Sequence, residues 1–325
     1  MRGSVTIAIP VFNGERYLAD ALQSVVDQTE KVDRIMICDN CSTDGTLDIA
    51  NKFKEAHPEI QFDIVCNEAN LGYQRNFNRC MELSKTDYVL LLAADDVLKE
   101  NLIEIEKGFL EQNPEYAFVA AYSDSIDEEG EILLRHQKRE DQFFQKGQIL
   151  EFLQRNRLYI VPSAVLLRTS CIHDIGLWDH LIGPDERYWP KILQKYPIAI
   201  LGDALVDRRD HADQTAVKDY EAKFSQVMLS LRENLKVADY ESNSKRRAIT
   251  KKLIKSQNSS SSLMMGNLVI KHYEAHWIGF KYLTYSIWQA PSIHKKIRQT
   301  MKATKIFLYG LSQSYRLKKL KRKAK

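Results

Sequence analysis

The residues able to do chemistry gather in four short polar clusters, each beyond an apolar run. VTIAIPVF (5–12) leads into Asn13-Gly14, RIMIC (34–38) into Asp39-Asn40, and DYVLLLA (87–93) into Asp95-Asp96, while Asn70-Leu71-Gly72 follows QFDIV (61–65). One acid after a strand is often only a helix cap. Acids after both the second and the fourth run say more. The first suits ribose or base hydroxyls, and the second suits a cation bound to phosphates. Cys38 and Cys41 also form a C-x-x-C. That spacing fits a redox pair or half a zinc site, or else a thiol ending a buried strand and another in the next turn. No second C-x-x-C or His pair accompanies it.

These clusters need a frame that brings strand ends together. The apolar runs are rich in β-branched residues, as strands buried on both faces are. Between them lie helical spacings: Tyr17, Leu18, Ala21, Leu22, Val25 and Val26, then a helix capped by Ser42, Thr43 or Asp44 and running to about Lys54, then 73–84 and 98–112. YAFVAAY (116–122) is a further strand. Repeated β-α-β units with short loops predict a mostly parallel sheet flanked by helices, with ligands at the carboxyl ends of its strands. Pro10 is expected to end the first strand. Beyond 122 the pattern changes to a turn at Asp127–Gly130, a strand SAVLLR (163–168), a helix over 186–196 kinked or started by Pro190, and a short strand IAIL (198–201). From about 216 the chain reads as helical and basic, with QNSSSSL (257–263) as a flexible linker. The expected division is a domain over 1–215 and a helical basic region over 216–325.

Composition is that of an ordinary globular protein, 44% hydrophobic and 28% charged in 325 residues. No run is long and apolar enough to span a bilayer, and the N-terminus lacks the cleavage site of a signal peptide, so the protein is expected in the cytoplasm. Five cysteines, an odd number, argue against a disulfide framework. Net charge is +4, but it is unevenly spread. Residues 245–325 hold 20 Lys and Arg against one acid, Glu274, whereas 1–244 hold 27 basic and 42 acidic residues. Such a tail seeks an anionic surface, lipid or nucleic acid.

The pieces IPVFNGERYLADALQSVVDQ, ICDNCSTDGT, NEANLGYQRNFNRC, YVLLLAADDVL, GLWDHLIGPDERYW and RRDHADQT follow one another in the order and spacing of the family 2 glycosyltransferases, which the chain resembles densely over 4–100 and more thinly to about 215. That resemblance implies a GT-A fold, a nucleotide-sugar donor, usually UDP-linked, a divalent metal (Mg²⁺ or Mn²⁺), and transfer with inversion. By motif it assigns Pro10, Phe12 and Asn13 to the nucleoside cradle and Asp39 to uracil or ribose. Asn70, Gly72, Arg75 and Asn78 belong to the loop and helix that follow. Arg75 is either a diphosphate ligand or a solvated helix residue. The metal motif is altered, because Ala93 stands where the family has its first acid. Adjacent residues of an extended segment point apart, so Asp95 rather than Asp96 is the expected ligand. His211 is a second ligand or a structural histidine, and catalysis without metal stays open. Asp185, four residues before Trp189, takes the place of the family's base although Pro184 replaces the usual Glu. Glu186 is the runner-up. Tyr188 and Trp189 either wall the acceptor site or belong to the core.

Two other readings are weighed. A sugar-phosphate nucleotidyltransferase would need a Gly-rich basic loop after the first strand, which this chain lacks. A degenerate GT-A protein that only binds carbohydrate or a partner is kept open by Ala93. The expected function is transfer of a sugar to a glycan or lipid-linked acceptor in bacterial surface polysaccharide assembly. No nucleic-acid module accompanies the tail, so an anionic membrane surface is its expected partner. Trp277, Phe280, Trp288 and their basic neighbours suit the headgroup zone, placing the protein on the inner face of the cytoplasmic membrane. A helical domain packing those aromatics internally is the alternative.

Overall fold

The structure, a computed structural model, describes residues 2–156, 160–211 and 224–273, the side chains of 224–228 and 259–273 excepted. The basic tail beyond residue 273, with its aromatic residues, lies outside the described residues. The chain divides into two compact units. One comprises 1–148 with 158–211, and the other 149–157 with 212–325.

The first unit is a mixed α/β sheet with helices against it. Strands β1 (Val5–Val11), β2 (Arg34–Asp39), β3 (Gln61–Cys66) and β4 (Tyr88–Leu91) run parallel in the order β3-β2-β1-β4. The sheet continues through β9 (Val165–Arg168), antiparallel to its neighbours, then β6 (Phe118–Ile126), β10 (Ile198–Arg209) and β5 (Val97–Leu98). β7 (Ile132–Leu134) pairs with β6 through the turn at Asp127–Gly130, and β8 (Gln142–Phe144) pairs with β10. Helices α1 (Leu18–Val26), α2 (Thr46–Ala56), α3 (Tyr73–Leu83) and α4 (Leu102–Gln112) connect the parallel strands. The core lies between the sheet and α1, α2 and α4, where Ile7, Ile9, Leu18, Leu22, Ile35, Ile37, Leu90 and Leu102 are all buried.

Three expectations need correction. Pro10 does not end β1 but sits inside it, opposite Cys38. The Val11 carbonyl accepts the Asn40 N–H on the β2 side, so the missing N–H of Pro10 faces β4. The β4 ladder stops at Ala8, and the proline therefore costs no ladder bond. The same parting of β1 from β4, where strand order reverses, opens the crevice in which sheets of this kind bind ligands. Secondly, β10 is a strand of 12 residues, not the short IAIL (198–201). It bulges near Gly202, where any side chain would overlap the Arg139 backbone, and resumes pairing with β6 to Arg209. Thirdly, QNSSSSL (257–263) is not a linker, for helix Ser244–Tyr273 runs straight through it. Serine is a middling helix former, not a breaker.

In the second unit, α5 (Ile149–Arg155) and helix Ser244–Tyr273 are joined by Arg246, whose guanidinium forks onto Glu151 at 2.7 and 2.8 Å and also reaches Glu241 at 2.9 Å. No helix among the described residues is long and apolar enough to cross a membrane.

Candidate active site

At the end of β1 the chain turns with Asn13 in the left-handed region (φ 51°), which Asn tolerates. The turn is laced to the loop after β2. Asn13 N–H donates to Ser42 Oγ at 2.9 Å, and Thr43 N–H donates to Asn13 Oδ1 at 2.9 Å. Gly14 N–H donates to Thr46 Oγ1 at 2.8 Å. With its neighbours so held, Phe12 is left 49% exposed, an aromatic face at the mouth of the crevice. Pro10, two residues before it in β1, is buried.

Asp39 ends β2 and is only 1% exposed. Its Oδ2 accepts the Ser42 N–H at 3.1 Å, while its Oδ1 is buried with no hydrogen-bond partner. An orphaned acceptor of this kind is costly unless a ligand donor meets it. Beside it runs a lattice of side-chain amides. Asn40 donates to Asn70 Oδ1 at 2.9 Å and accepts from Leu71 N–H at 2.8 Å. Asn67 donates to Asn76 Oδ1 at 2.8 Å, and Asn76 donates to the Cys38 carbonyl at 2.8 Å. Asn70 also caps Gly72 N–H at 2.9 Å, where Gly72 takes a positive φ (82°) to launch α3. The Asn70 side chain thus shapes the loop. Arg75 on α3 is exposed. Asn78 is buried, and its amide is exchanged with the Trp178 backbone in two bonds of 2.9 and 3.0 Å.

The C-x-x-C resolves into its plainer reading. Cys38 is buried at the end of β2, whereas Cys41 is exposed in the turn at φ 68°. Among the described residues no group of three or more His, Cys, Asp or Glu could hold a metal ion.

Beyond β4 the two adjacent acids diverge. Asp96 turns inward, accepting Ser163 Oγ–H at 2.6 Å and Arg209 N–H at 3.1 Å. Burial, and then the charge of Asp95, push its pKa up to about 7. Asp95 faces His211, with Oδ2 and Nε2 2.9 Å apart. Arg209, also buried, ties this loop to its surroundings. It donates to the carbonyls of Asp95 (3.1 Å), Asp127 (3.2 Å) and Glu128 (2.9 Å) and to the Asp20 carboxylate (2.9 Å), and it lies over Tyr17.

Asp95 and His211 are the donors here that would take part in holding the divalent metal the sequence implies, and the 2.9 Å hydrogen bond between Asp95 Oδ2 and His211 Nε2 would have to open for both to face one ion. With Ala93 in place of an acid the protein offers two donors here, leaving the rest of the shell to diphosphate oxygens and water.

After β9, α6 (Thr169–Ile175) is followed by an irregular loop and by α7 (Asp185–Leu193). Asp185 is the first residue of α7 and is 4% exposed. Its Oδ2 is buried without a hydrogen-bond partner, and burial, with the neighbouring Glu186 charge second, raises its pKa to about 7. Tyr188 and Trp189 turn into the core. The Trp189 indole donates to the Ile160 carbonyl at 3.2 Å and meets Phe118 edge-on at 5.2 Å. They belong to the interior, not to an exposed acceptor wall. Gln74 of α3 reaches the Leu181 carbonyl at 3.4 Å, which with Asn78 ties the Asp185 loop to the helix launched by Gly72.

Sequence reasoning placed Asn40 beside Asp39 without a role, and missed Asn67, Asn76, Ser163 and the buried role of Arg209. The density of asparagine between 67 and 78 was the available signal.

A family model described as Glycosyl transferase family 2 matches residues 6–176. The chain is 30% identical over 126 residues to EpsE of Bacillus subtilis, a protein named as a glycosyltransferase, the match taking in 39% of this chain and 45% of EpsE. It is 32% identical over 106 residues to TuaG of the same organism, named for teichuronic acid biosynthesis, covering 33% of this chain and 41% of TuaG. The chain thus spans less than half the length of either relative. Among solved structures it is similar to residues 1–349 of Staphylococcus aureus TarS in complex with UDP-GlcNAc, with a TM-score of 0.67 at 15% identity, covering 97% of this chain and 92% of that one.

Proposed function

The chain belongs to glycosyl transferase family 2 and is a glycosyltransferase of GT-A fold; we propose that it moves a sugar from a UDP-linked donor to a glycan or lipid-linked acceptor, with inversion, in the assembly of a bacterial surface polysaccharide. The observation that carries this reading is a pair of buried carboxylate oxygens left without partners, Asp39 Oδ1 at the end of β2 and Asp185 Oδ2 at the start of α7. Each awaits a donor. Asp39 suits an N–H or O–H of the nucleoside, and Asp185 suits the acceptor hydroxyl. The first 215 residues do this work, and the basic region from 216 onward serves attachment.

Binding comes first. Phe12 offers the nucleoside base a flat face, Pro10 and Asn13 hold the strand end that carries it, and Asp39 hydrogen-bonds its edge. The Asn70–Gly72 turn and Arg75 flank the path to the diphosphate. Mg²⁺ or Mn²⁺, held by Asp95 and His211, would offset the negative charge that grows on the leaving diphosphate. Asp185 takes the proton from the acceptor hydroxyl. The oxygen so freed forms its bond to the anomeric carbon from the side opposite the diphosphate, which departs with the electrons of the broken C–O bond. A pKa near 7 makes Asp185 a stronger base than an ordinary aspartate while still partly ionised at neutral pH.

The relative named for teichuronic acid biosynthesis supports a glycan acceptor. The 20 cations of residues 245–325 support a site of action at the anionic inner face of the cytoplasmic membrane. The test is a panel of nucleotide sugars scored for nucleoside diphosphate release with and without Mn²⁺. Release from UDP-sugars, and not from GDP- or dTDP-sugars, is the expected result. Saturable binding with no release from any of them refutes the reading.

A further inference from the structure

We propose that the Asp179–Arg187 pair is the positioning device that aims Asp185, an inference that rests on the reading of Asp185 as the base. The segment between α6 and α7 is irregular, and it must deliver a carboxylate to a fixed place. Gly176 and Gly183 both adopt positive φ (86° and 60°), and glycine, with no Cβ to restrict it, does little by itself to hold the backbone there.

Arg187 supplies the grip. It sits in the first turn of α7, two residues after Asp185, and its side chain is buried. Its Nε donates to Asp179 Oδ2 at 2.7 Å and its Nη2 to Asp179 Oδ1 at 2.8 Å, a two-pronged bond that fixes orientation as well as distance. Nη2 also donates to the Ile182 carbonyl at 3.2 Å. Asp179 folds the loop back in turn, accepting the Leu181 N–H at 3.0 Å. One guanidinium thus ties the start of the loop, its last turn and the helix into a closed ring, with Gly183, Pro184 and Asp185 held between the fixed points. Just before Asp179, Trp178 is anchored by the paired amide of Asn78 and stacks on Phe77 at 4.9 Å.

Residues two apart on a helix point about 200° away from each other. Arg187 therefore grips the loop on one side of α7 while Asp185 projects from the other. It acts through backbone placement without bonding Asp185 Oδ2, which stays without a partner. The Arg187 charge also acts on the carboxyl, opposing the rise that burial causes, and Arg187→Lys keeps that charge. The geometric demand on a base is steep, since a misplacement of about 1 Å can cost a hundredfold in rate. Lysine would keep the charge and lose the fork.

The test is a double-mutant cycle in the full-length protein. Turnover is followed as UDP release, using whichever of UDP-GlcNAc, UDP-glucose and UDP-galactose gives the fastest rate with the parent. UDP affinity with Mn²⁺ is measured by calorimetry, and the thermal midpoint is recorded for each variant. Arg187→Lys is expected to lower kcat about tenfold to a hundredfold while UDP affinity stays within about twofold. Combined with Asp185→Asn it is expected to cost nothing further, because a positioning residue has nothing left to position. Asp179→Asn, at the more exposed end of the pair, is expected to repeat the pattern if Arg187→Lys folds poorly. Parental kcat in Arg187→Lys and Asp179→Asn overturns the proposal. So does a double variant whose loss is the product of the two single losses, or UDP affinity falling in step with kcat. The base assignment fails separately, through an Asp185→Asn variant that retains parental turnover.

Discussion

The proposed base gives a pH profile that an ordinary aspartate cannot. A solvated Asp titrates near 3.9, so at pH 5 it would be about 93% ionised and a rate depending on it would be flat from pH 5 to 8. Burial raises Asp185 to about 7. It is then about half ionised at pH 7 and about 1% ionised at pH 5, so kcat/KM should fall about fiftyfold between those values with unit slope. The sign follows from the role, since the ionised form is the active one and activity is lost on the acid side. Asp96 also titrates near 7, and a limb in that range could belong to it. The variant separates them. Asp185→Asn should remove the limb along with about 10² to 10⁴ of the rate, and Asp96→Asn should leave the limb in place. The assay is UDP release at subsaturating donor across pH 5 to 8, with protein integrity checked at each end. A flat parental profile, or a limb that persists in Asp185→Asn, refutes the assignment.

Other outcomes follow from the same geometry. Asp39→Ala should weaken UDP binding by about tenfold or more, measured by calorimetry, because it removes a buried hydrogen-bonding carboxylate from the strand end. Asp95→Ala and His211→Ala should each abolish the gain in UDP affinity on adding Mn²⁺ while leaving metal-free UDP binding within about twofold; undiminished gain in either variant excludes that side chain as a ligand. The Glu106 carboxyl is fully buried with no charged partner, and burial holds its pKa well above the usual range, the Leu166 amide opposing this. The folded form therefore keeps its proton where the unfolded chain would lose it, so stability falls as pH rises past the ordinary Glu value. Glu106→Leu should raise the thermal midpoint on the order of 5 °C, more at pH 8 than at pH 5. Truncation of 316–325 should reduce flotation with anionic liposomes, and added salt should do the same to the full chain.

What was legible in the sequence was whatever burial on both faces writes into composition. β1, β2 and β4 are almost unbroken apolar runs, and the polar residues after them had to lie at the carboxyl ends. Asp95 and Asp96 do part, one to His211 and the other to Ser163, but not by the strand alternation the sequence suggested: β4 ends at Leu91, and the two acids follow in a turn closed by the Asp96 N–H on the Ala93 carbonyl at 3.1 Å. The amide lattice around Asn40 was not legible. Asparagine is the expected residue of any loop, and only the fold reveals that Asn40, Asn67 and Asn76 face one another. Nor could local pattern reveal where Trp189 points, since the spacing that places it four residues after Asp185 fits a core residue and an acceptor wall equally well.

The longer β10 bears directly on the altered metal motif. A strand ending at residue 201 would have left His211 at the end of an unstructured stretch. Eight further strand residues, at most about 26 Å at about 3.3 Å per residue and less for the bulge at Gly202, carry the chain to the Asp95–Asp96 turn after β4. Gly202 makes this possible by letting the Arg139 backbone pass close, and Asp141 fixes it by accepting the Gly202 N–H at 2.8 Å. Arg209 then locks the arrival. Its own N–H bonds Asp96 and its side chain bonds the Asp95 carbonyl, so the strand that brings His211 also sets the loop that presents Asp95. With Ala93 unable to contribute a carboxylate, the second donor, His211, lies two residues past the end of β10, next to the buried arginine that sets the Asp95–Asp96 turn. Arg209→Lys tests that dependence. The fork to Asp20 and to the carbonyls would be lost, and the Mn²⁺-dependent part of UDP affinity should fall about tenfold or more, with metal-free UDP binding little changed. Equal loss with and without Mn²⁺ would mean that Arg209 supports the fold at large and not the alignment of Asp95 with His211.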